Sequence, residues 1–212
     1  LLTVKRKPII SYLVELFQRF GATQVVVSIH KNQRTDFEWW IKRYHPQQNI
    51  KLVEETKPLG TFGGLAQARS YLQDEEDFFV TNGDEIKKID LRLLLKAHRN
   101  FKAKGALVTV ALVQARNPQN YGIALLKKDV ITGFLEKPKN PPSSWISSGL
   151  YVMNRRVFDY YSPTSSGAVM LEKNLFQRLA KAGLLSSFKT RGLWLDCGNI
   201  EGWEKAIKSK KL

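Results

Sequence analysis

The feature that most constrains the fold is an alternation of strand-like and helix-like segments through the first half of the chain. Strand patterns occur at 23–29, 50–53, 78–81 and 106–113, and helical periodicity occurs between them at 34–45, 65–72 and 90–103. Such alternation is typical of βαβ units built on a parallel sheet. We therefore predict an α/β fold with a doubly wound, largely parallel, Rossmann-like mixed sheet.

The alternation of strands and helices ends after residue 120, where short predicted strands follow one another without long helices between them. The strands are predicted at 121–126, 130–136 and 146–153, and polar or proline-rich turns separate them. Because neighbouring strands with short connections pair antiparallel, we predict a small antiparallel insertion at 121–153. Helical patterns at about 155–161, 170–182 and 200–209 and a strand at 184–189 complete one domain over residues 1–212.

Two apolar runs end in an aspartate beside a glycine. Phe78-Phe79-Val80-Thr81-Asn82-Gly83-Asp84 is the first, and Trp194-Leu195-Asp196-Cys197-Gly198 is the second. Ligands of open α/β sheets bind at the carboxyl ends of the strands, so Asp84 and Asp196 are candidate ligands of one divalent cation. The alternative is that Asp84 only caps a turn, and the spacing alone does not bring the two residues together.

A glycine-rich loop precedes the helical pattern at 65–72. Gly60, Gly63 and Gly64 lie within this loop. Glycine lets backbone amides approach a ligand closely, and a helix N-terminus favours an anion or a polar base edge. Because such connections are common, this loop alone indicates a ligand only weakly.

The net charge of +15 is the unusual feature of the composition. A basic surface attracts phosphates, but aromatic residues are not interleaved with the basic ones, so we predict no nucleic-acid partner.

No apolar run approaches the roughly 20 residues that a membrane span needs. A single cysteine, Cys197, excludes an intramolecular disulfide, and with no secretory leader in view it favours a cytoplasmic location. The three histidines are scattered without metal-ligand spacing.

Six motifs together resemble those of the sugar-1-phosphate nucleotidyltransferases, the enzymes that make NDP-sugars. They occur in the family's order: Pro58-Leu59-Gly60-Thr61-Phe62-Gly63-Gly64, Val80-Thr81-Asn82-Gly83-Asp84, Asn120-Tyr121-Gly122-Ile123, Phe134-Leu135-Glu136-Lys137-Pro138, Ser147-Ser148-Gly149-Leu150-Tyr151-Val152 and Trp194-Leu195-Asp196-Cys197-Gly198-Asn199. None is specific alone, but together they span most of the chain and are highly specific.

The resemblance implies a set of residue roles. Asp84 and Asp196 would hold Mg²⁺, and together with Lys137, which would bind the sugar phosphate, they would be the catalytic residues. The implied substrate-binding residues are Pro58, Gly60, Thr61, Gly83, Gly122, Glu136, Lys137, Ser147 and Gly149, of which Gly60 and Thr61 line the base pocket.

The implied reaction transfers a nucleotidyl group from an NTP to a sugar 1-phosphate and releases pyrophosphate. A chain ending near residue 212 resembles the short members, and we favour a guanylyltransferase for a mannose- or heptose-type phosphate. The alternatives are a glucose-1-phosphate thymidylyl- or uridylyltransferase, an N-acetylmuramate-1-phosphate uridylyltransferase and a non-catalytic paralogue that binds sugar nucleotides. The family also forms homo-oligomers, which the resemblance extends to this chain as an expectation.

Some residues depart from the family pattern. The family's first strand and glycine-rich phosphate loop, with the lysine that follows it, belong upstream of Leu1, so we expect a natural N-terminus that includes them. Ser147 replaces an asparagine, and Cys197 and Asn199 replace an isoleucine and a threonine. We expect Cys197 to be a buried packing residue and not a nucleophile.

Overall fold

The computed structural model describes residues 1–163 and 167–212, with every side chain in these ranges except that of Glu136. The strands are β1 (Thr3–Val4), β2 (Lys7–Pro8), β3 (Val25–His30), β4 (Ile50–Glu55), β5 (Asp77–Thr81), β6 (Glu85–Lys88), β7 (Val108–Gln114), β8 (Gly122–Lys127), β9 (Val130–Glu136), β10 (Trp145–Asn154), β11 (Leu185–Lys189) and β12 (Leu193–Asp196). The α-helices are α1 (Ile9–Arg19), α2 (Arg34–Tyr44), α3 (Gly60–Gln67), α4 (Leu91–Lys102), α5 (Gln177–Lys181) and α6 (Ile200–Lys208).

Most predicted elements are present with small shifts of their ends, and three segments differ in kind. The glycine-rich segment predicted as a loop before the helix at 65–72 is already helical, because α3 begins at Gly60, and the 3₁₀ helix Ala68–Leu72 follows α3. The segment predicted as a helix at 155–161 forms 3₁₀ turns over Arg155–Tyr160. The helix predicted at 170–182 begins as a π-helix, Leu171–Phe176, and continues as α5. A π-helical turn is rare and frequently occurs at a functional site.

The main sheet is mixed, and the prediction of a largely parallel, doubly wound sheet is wrong in this respect. Its strand order is β5-β10-β7-β11-β9-β8, and only β7 and β11 pair in parallel. β10 separates β5 from β7 and runs antiparallel to both. The physical reason is that an apolar run shows a strand to be buried on both faces without showing its direction.

The same sheet closes on itself in the manner of a barrel. The first residues of β10 pair with β8 through Ile146 and Ile123, and the pairing of β10 with β7 shifts between Ser147 and Tyr151. Such an irregularity lets one long strand bend and serve two neighbours. Strands β8 and β9, predicted to belong to an antiparallel insertion, are therefore continuous with the main sheet.

Two further strand pairs lie outside the main sheet. β3 and β4 pair in parallel, as the predicted βαβ unit through α2 requires. β6 and β12 pair antiparallel, with Asp196 opposite Glu85. This second pair joins distant parts of the chain at the two predicted aspartate turns.

The core lies on both faces of the main sheet, and β10 contributes to each. Leu150 and Val152 pack with residues of α1 and α4, whereas Tyr151 and Met153 pack with the π-helix and α5 on the other face. This alternation follows the two-residue period of a strand. No helix in the described part of the chain is long and apolar enough to cross a membrane.

A polar group interrupts the apolar packing where α4 meets the sheet. His98 is fully buried, and its Nδ1 lies 2.9 Å from Thr109 Oγ1 and its Nε2 lies 3.5 Å from Asp77 Oδ1. Burial lowers the pKa of His98 despite the nearby Asp77 carboxylate, and burial likewise lowers the pKa of His45, which hydrogen-bonds Ser11. Both side chains are therefore held neutral in the folded protein.

We predict that the free energy of unfolding decreases as the pH is lowered from about 7.5 to about 5.5. Below the unfolded-state pKa of about 6.5 the unfolded chain binds protons that the folded chain rejects, at a cost of up to about 1.4 kcal/mol per pH unit for each histidine. Urea unfolding at the two pH values measures this slope. His98→Asn, whose amide can still contact Thr109, should reduce it; an unchanged slope in that variant would contradict the assignment.

Candidate active site

The pairing of β6 with β12 brings the two aspartate turns side by side. Asp84 immediately precedes β6, Asp196 is the last residue of β12, and the two strands run antiparallel. The backbone N–H of Cys197 donates to the carbonyl of Asp84 at 3.0 Å and continues the ladder past the strand ends. Residues more than 100 positions apart are thereby fixed as neighbours.

The two carboxylates converge on Gly198. A Cβ atom at this position would lie 2.8 Å from Asp84 Oδ2 and 3.2 Å from Asp196 Oδ1. Only glycine leaves this space open, so the close approach of the two carboxylates requires glycine at position 198. The two carboxylates, whose proximity the sequence spacing left open, thus lie side by side in the structure.

The hydrogen bonds of the two carboxylates differ. Asp196 accepts from Gly198 N at 2.9 Å, from Asn199 Nδ2 at 3.4 Å and from the Tyr121 hydroxyl at 3.3 Å. Asp84 is exposed, and its carboxylate has no hydrogen-bond donor among the described residues. The alternative reading of Asp84 as a turn cap thus has no supporting contact, and its oxygens are open to a ligand.

The donor set fits Mg²⁺ as a partial coordination shell. Among residues 1–163 and 167–212 no group of three or more histidine, cysteine or carboxylate side chains forms a closed metal cage. Mg²⁺ in substrate-phosphate sites is usually held by one or two carboxylates, with water and phosphate oxygens completing its octahedron. Two convergent and accessible carboxylates meet that requirement.

Asn199 and Cys197 show why the departures around Asp196 are tolerated. The Asn199 side chain accepts from Gly202 N at 2.9 Å and caps α6, a role that asparagine and threonine share. Cys197 is buried, as expected, and burial followed by the nearby Asp196 charge raises the pKa of its thiol to about 11. The thiol is therefore neutral at physiological pH and is not activated as a nucleophile.

Tyr121 connects Asp196 to the strand pair that carries the predicted sugar-binding residues. Burial, followed by the charge of Asp196, raises the pKa of Tyr121 to about 12, so its hydroxyl stays a hydrogen-bond donor. Its carbonyl accepts from the N–H of Lys137 at 3.2 Å. Gly122 lies opposite Glu136 in the β8–β9 pair. Lys137 and Gly122 are thus placed next to the residue that contacts Asp196.

Lys137 has an unusual backbone conformation at the end of β9. Its φ is +41°, in the left-handed region that residues with a side chain rarely adopt, and the side chain is exposed. Such a conformation at a candidate functional residue is held by its surroundings, here by the hydrogen bond to Tyr121. The backbone of Glu136 lies in β9, but its side chain is outside the described residues, so its predicted sugar contact stays a prediction.

Ser147 and Gly149 lie where β10 passes the Asp84 turn. Gly149 accepts from Asn82 N at 2.9 Å, and a Cβ atom at Gly149 would lie 2.4 Å from Asn82 Nδ2. Its φ of +61° also requires glycine. The hydroxyl of Ser147 accepts from Gly149 N at 3.2 Å. These two residues therefore border the turn formed by Asn82, Gly83 and Asp84.

The predicted base-binding loop is held by the segment before the π-helix. Phe62 N donates to the Val169 carbonyl at 2.8 Å, and Leu171 N donates to the Thr61 hydroxyl at 2.8 Å. Gly60 has φ +79°, and a Cβ atom there would lie 2.6 Å from Val169 O. Pro58 thus lies just before α3, and Gly60 and Thr61 are held in the first turn of that helix, although no described hydrogen bond joins them directly to the Asp84 turn.

A chain of hydroxyl contacts lies between this loop and the Asp84 turn. Ser147 Oγ contacts the Tyr151 hydroxyl at 3.3 Å, which donates to Glu172 Oε1 at 3.0 Å in the π-helix. Complete burial raises the pKa of Tyr151 well above its ordinary value, so it remains a donor. Sequence reasoning did not single out Glu172, because its segment resembles an ordinary amphipathic helix.

Sequence reasoning also missed a buried ion pair under the two aspartates. The side chains of Glu85 and Lys87 are 8% and 0% exposed, and Glu85 Oε2 lies 2.9 Å from Lys87 Nζ. Burial raises the pKa of Glu85 and lowers that of Lys87, and their mutual attraction opposes both shifts. A run of charged residues after a turn is typical of a solvated surface, so the sequence carried no signal of this burial.

Comparison with known proteins places these features in a family. Residues 1–211 match the nucleotidyl transferase family. The mannose-1-phosphate guanyltransferase of Schizosaccharomyces pombe is 32% identical over 91% of this chain and 53% of its own length. Mannose-1-phosphate guanylyltransferase 1 of Arabidopsis thaliana is also 32% identical, over 91% of this chain and 53% of its own length. The chain spans about half the length of these relatives.

Solved structures share the fold at low sequence identity. HddC from Yersinia pseudotuberculosis, complexed with GMP-PN, superposes with a TM-score of 0.82 at 20% identity, over 98% of this chain and 87% of that one. A UDP-glucose pyrophosphorylase from Acinetobacter baumanii superposes with a TM-score of 0.77 at 20% identity, over 97% and 83%. The fold is that of these α/β enzymes, and the family match covers nearly the whole sequence. The chain therefore belongs to the nucleotidyl transferase family.

Proposed function

We propose that this protein transfers a nucleotidyl group from an NTP to a sugar 1-phosphate, giving an NDP-sugar and pyrophosphate. The observation that carries the proposal is the convergence of the Asp84 and Asp196 carboxylates on Gly198, at an open edge of a chain of this family. A non-catalytic paralogue would have no need of two accessible carboxylates at one point. The catalytic function is therefore favoured over simple binding of sugar nucleotides.

We propose GTP and a mannose- or heptose-type 1-phosphate as the substrates. The two relatives named above are mannose-1-phosphate guanylyltransferases, and a structural neighbour is described as complexed with GMP-PN. Because the chain spans about half of those relatives, the choice of base and sugar rests on similarity alone. A panel of NTPs and sugar 1-phosphates, assayed for pyrophosphate release, tests it.

The proposed reaction is an in-line displacement at the α-phosphorus of the NTP. A phosphate oxygen of the sugar 1-phosphate forms the new P–O bond, and the bond from the α-phosphorus to the bridging oxygen breaks. Pyrophosphate leaves with that electron pair. Because the attacking oxygen is already ionised near neutral pH, no general base is needed, and the main barrier is the approach of two anions.

The residues of this chain would lower that barrier by holding charge and position. Lys137, exposed beside Tyr121, would bind the sugar phosphate through its ammonium group. Gly122 and Gly149 would let backbone approach the sugar ring, with Glu136 and Ser147 as polar partners. Gly60 and Thr61, in the first turn of α3 that Val169 and Leu171 hold, would contact the base together with Pro58.

Asp84 and Asp196 would hold Mg²⁺, which supplies neutralisation of phosphate charge when it is bound. Their carboxylates present oxygens to one point, as a hard cation prefers. The homo-oligomer and the cytoplasmic location stay predictions, as does the absence of a nucleic-acid partner. Each experiment below uses the full-length protein.

We predict that Asp84→Asn and Asp196→Asn each lower kcat by about 100-fold or more, because a phosphate-bound cation loses a charged ligand. Pyrophosphate release is measured with saturating substrates over a range of Mg²⁺ concentrations. Asp74→Asn removes an exposed carboxylate that has no role in the proposed site, and it is the matched control. Normal turnover by either site variant would overturn the metal assignment.

We predict that Lys137→Met raises the KM for the sugar 1-phosphate by about 10-fold or more and also lowers kcat, since its cation is needed in the ground and transition states. The KM for the NTP should change little. Lys139→Met, which removes an exposed lysine two positions further along, is the control. A change confined to the KM for the NTP would show that Lys137 acts at a different substrate.

We predict that Gly60→Ala raises the KM for the NTP by about 10-fold to 100-fold, because the added methyl group meets the Val169 backbone and displaces the base loop. Gly133→Ala is the control, since its Cβ would meet only Leu125 Cδ1 at 3.8 Å, an ordinary contact. Circular dichroism of both variants establishes that the fold is kept. Equal kinetics in the two variants would exclude the loop from base recognition.

A further inference from the structure

The buried carboxylate of Glu85 collects hydrogen bonds from both sides of the proposed metal site. Its Oε1 accepts from Asn82 Nδ2 at 2.9 Å, and its Oε2 accepts from Trp194 Nε1 at 2.5 Å. Asn82 belongs to the Asp84 turn, and Trp194 belongs to the strand that ends at Asp196. One side chain therefore contacts the supports of both aspartates.

The contact with Asn82 fixes the Asp84 turn. Asn82 lies two residues before Asp84, and its backbone N–H donates to Gly149 at 2.9 Å. With its amide held by Glu85 and its backbone held by β10, Asn82 has little freedom. The position of the following Asp84 carboxylate depends on that restraint.

The contact with Trp194 fixes Asp196 through Tyr121. The rings of Tyr121 and Trp194 are in edge-to-face contact with centroids 5.4 Å apart. The Tyr121 hydroxyl donates to Asp196 Oδ2 at 3.3 Å. The direction of the Asp196 carboxylate is thus linked to the Trp194 indole, and through it to Glu85.

Lys87 supplies a positive charge beside the neighbouring carboxylates. Its ammonium, fully buried, lies 2.9 Å from Glu85 Oε2 and donates to Thr81 Oγ1 at 2.9 Å, at the end of β5. Asp84, Glu85 and Asp196 are three carboxylates in neighbouring positions, and each acts on Lys87. A buried cation beside them offsets their mutual repulsion when no metal is bound.

We propose that Glu85 and Lys87 are positioning residues that hold the Asp84 and Asp196 carboxylates in the arrangement that binds a divalent cation. The role assigned to the cation rests on the proposed function. Neither residue would touch the substrate. Apolar residues of similar volume would fill the same space without loss of stability, so stability alone does not account for this buried ion pair. A role in positioning the two aspartates is therefore favoured.

The test compares Glu85→Gln, Lys87→Met and the double variant Glu85→Gln/Lys87→Met with wild type. Lys88→Met is the matched control, since the Lys88 side chain is exposed and its ammonium donates only to the carbonyl of Lys211 among the described residues. The first readout is the Nε1–H resonance of Trp194 in the metal-free protein, assigned with Trp194→Phe. The second is Mn²⁺ affinity, measured by electron paramagnetic resonance, with Mn²⁺ as an oxygen-seeking probe for Mg²⁺.

We expect Glu85→Gln and Lys87→Met each to shift the Trp194 resonance and to weaken Mn²⁺ binding by about 10-fold or more. The Mg²⁺ concentration for half-maximal rate should rise in step, whereas the KM for the sugar 1-phosphate at saturating Mg²⁺ stays within about twofold. Because the two residues act as one unit, the double variant should lose about as much Mn²⁺ affinity as the more affected single variant, and less than the two single losses combined.

Wild-type Mn²⁺ affinity in the folded variants would overturn the proposal, even if their thermal midpoints fall. If a single variant does not fold, Mn²⁺ affinity is measured in the double variant instead, because that variant leaves no unpaired buried charge. Native Mn²⁺ affinity in that variant would likewise overturn it. Wild-type protein that binds Mn²⁺ but turns over no NTP and sugar 1-phosphate pair would instead overturn the proposed function and leave the positional assignment standing.

Discussion

The antiparallel pairing of β6 with β12 is the interaction on which the candidate site depends. It fixes Asp196 opposite Glu85, and the Cys197 N–H continues it to the carbonyl of Asp84. A slip of one residue in this register would turn every side chain to the opposite face and separate the two carboxylates. Gly198 then leaves the space into which both carboxylates project. The geometry of the site therefore depends on this register. A shift in register would separate the two aspartates even if both strands still formed.

The central position of β10 connects that pair to the rest of the molecule. This strand is buried on both faces, so its alternate residues pack against α1 and α4 on one side and against the π-helix on the other. It also accepts from Asn82 through Gly149 and contacts the π-helix through Tyr151. Because β10 runs antiparallel between β5 and β7, the turn after β5 and the bend in β10 meet at one edge. The mixed sheet thus places Ser147 and Gly149 beside the Asp84 turn, where a strand of parallel direction would not bring them.

The sequence predicted where strands end better than it predicted which strands pair and in which direction. Asp84 and Asp196 were identified because an apolar run that stops at a turn can be recognised from a few neighbouring residues. The structure places both carboxylates beside Gly198. The direction of β10 was not predictable, because burial on both faces looks the same in parallel and antiparallel strands. Glu85 and Lys87 were missed for a related reason. Their burial depends on β12, more than 100 residues away, and local charge patterns indicated solvent.

The distribution of charge predicts that the cation and the phosphate would depend on each other for binding. The chain carries a net charge of +15, which attracts phosphate-bearing molecules to its surface and raises their local concentration. At the centre, however, Asp84, Glu85 and Asp196 form an anionic group, and the buried Lys87 ammonium offsets part of its charge. A phosphate arriving alone would be repelled there, while a divalent cation would be attracted by the carboxylates and would reverse the local sign. Cation and phosphate should therefore bind together, each improving the affinity of the other, because the exposed basic surface and the acidic centre select for the neutral pair.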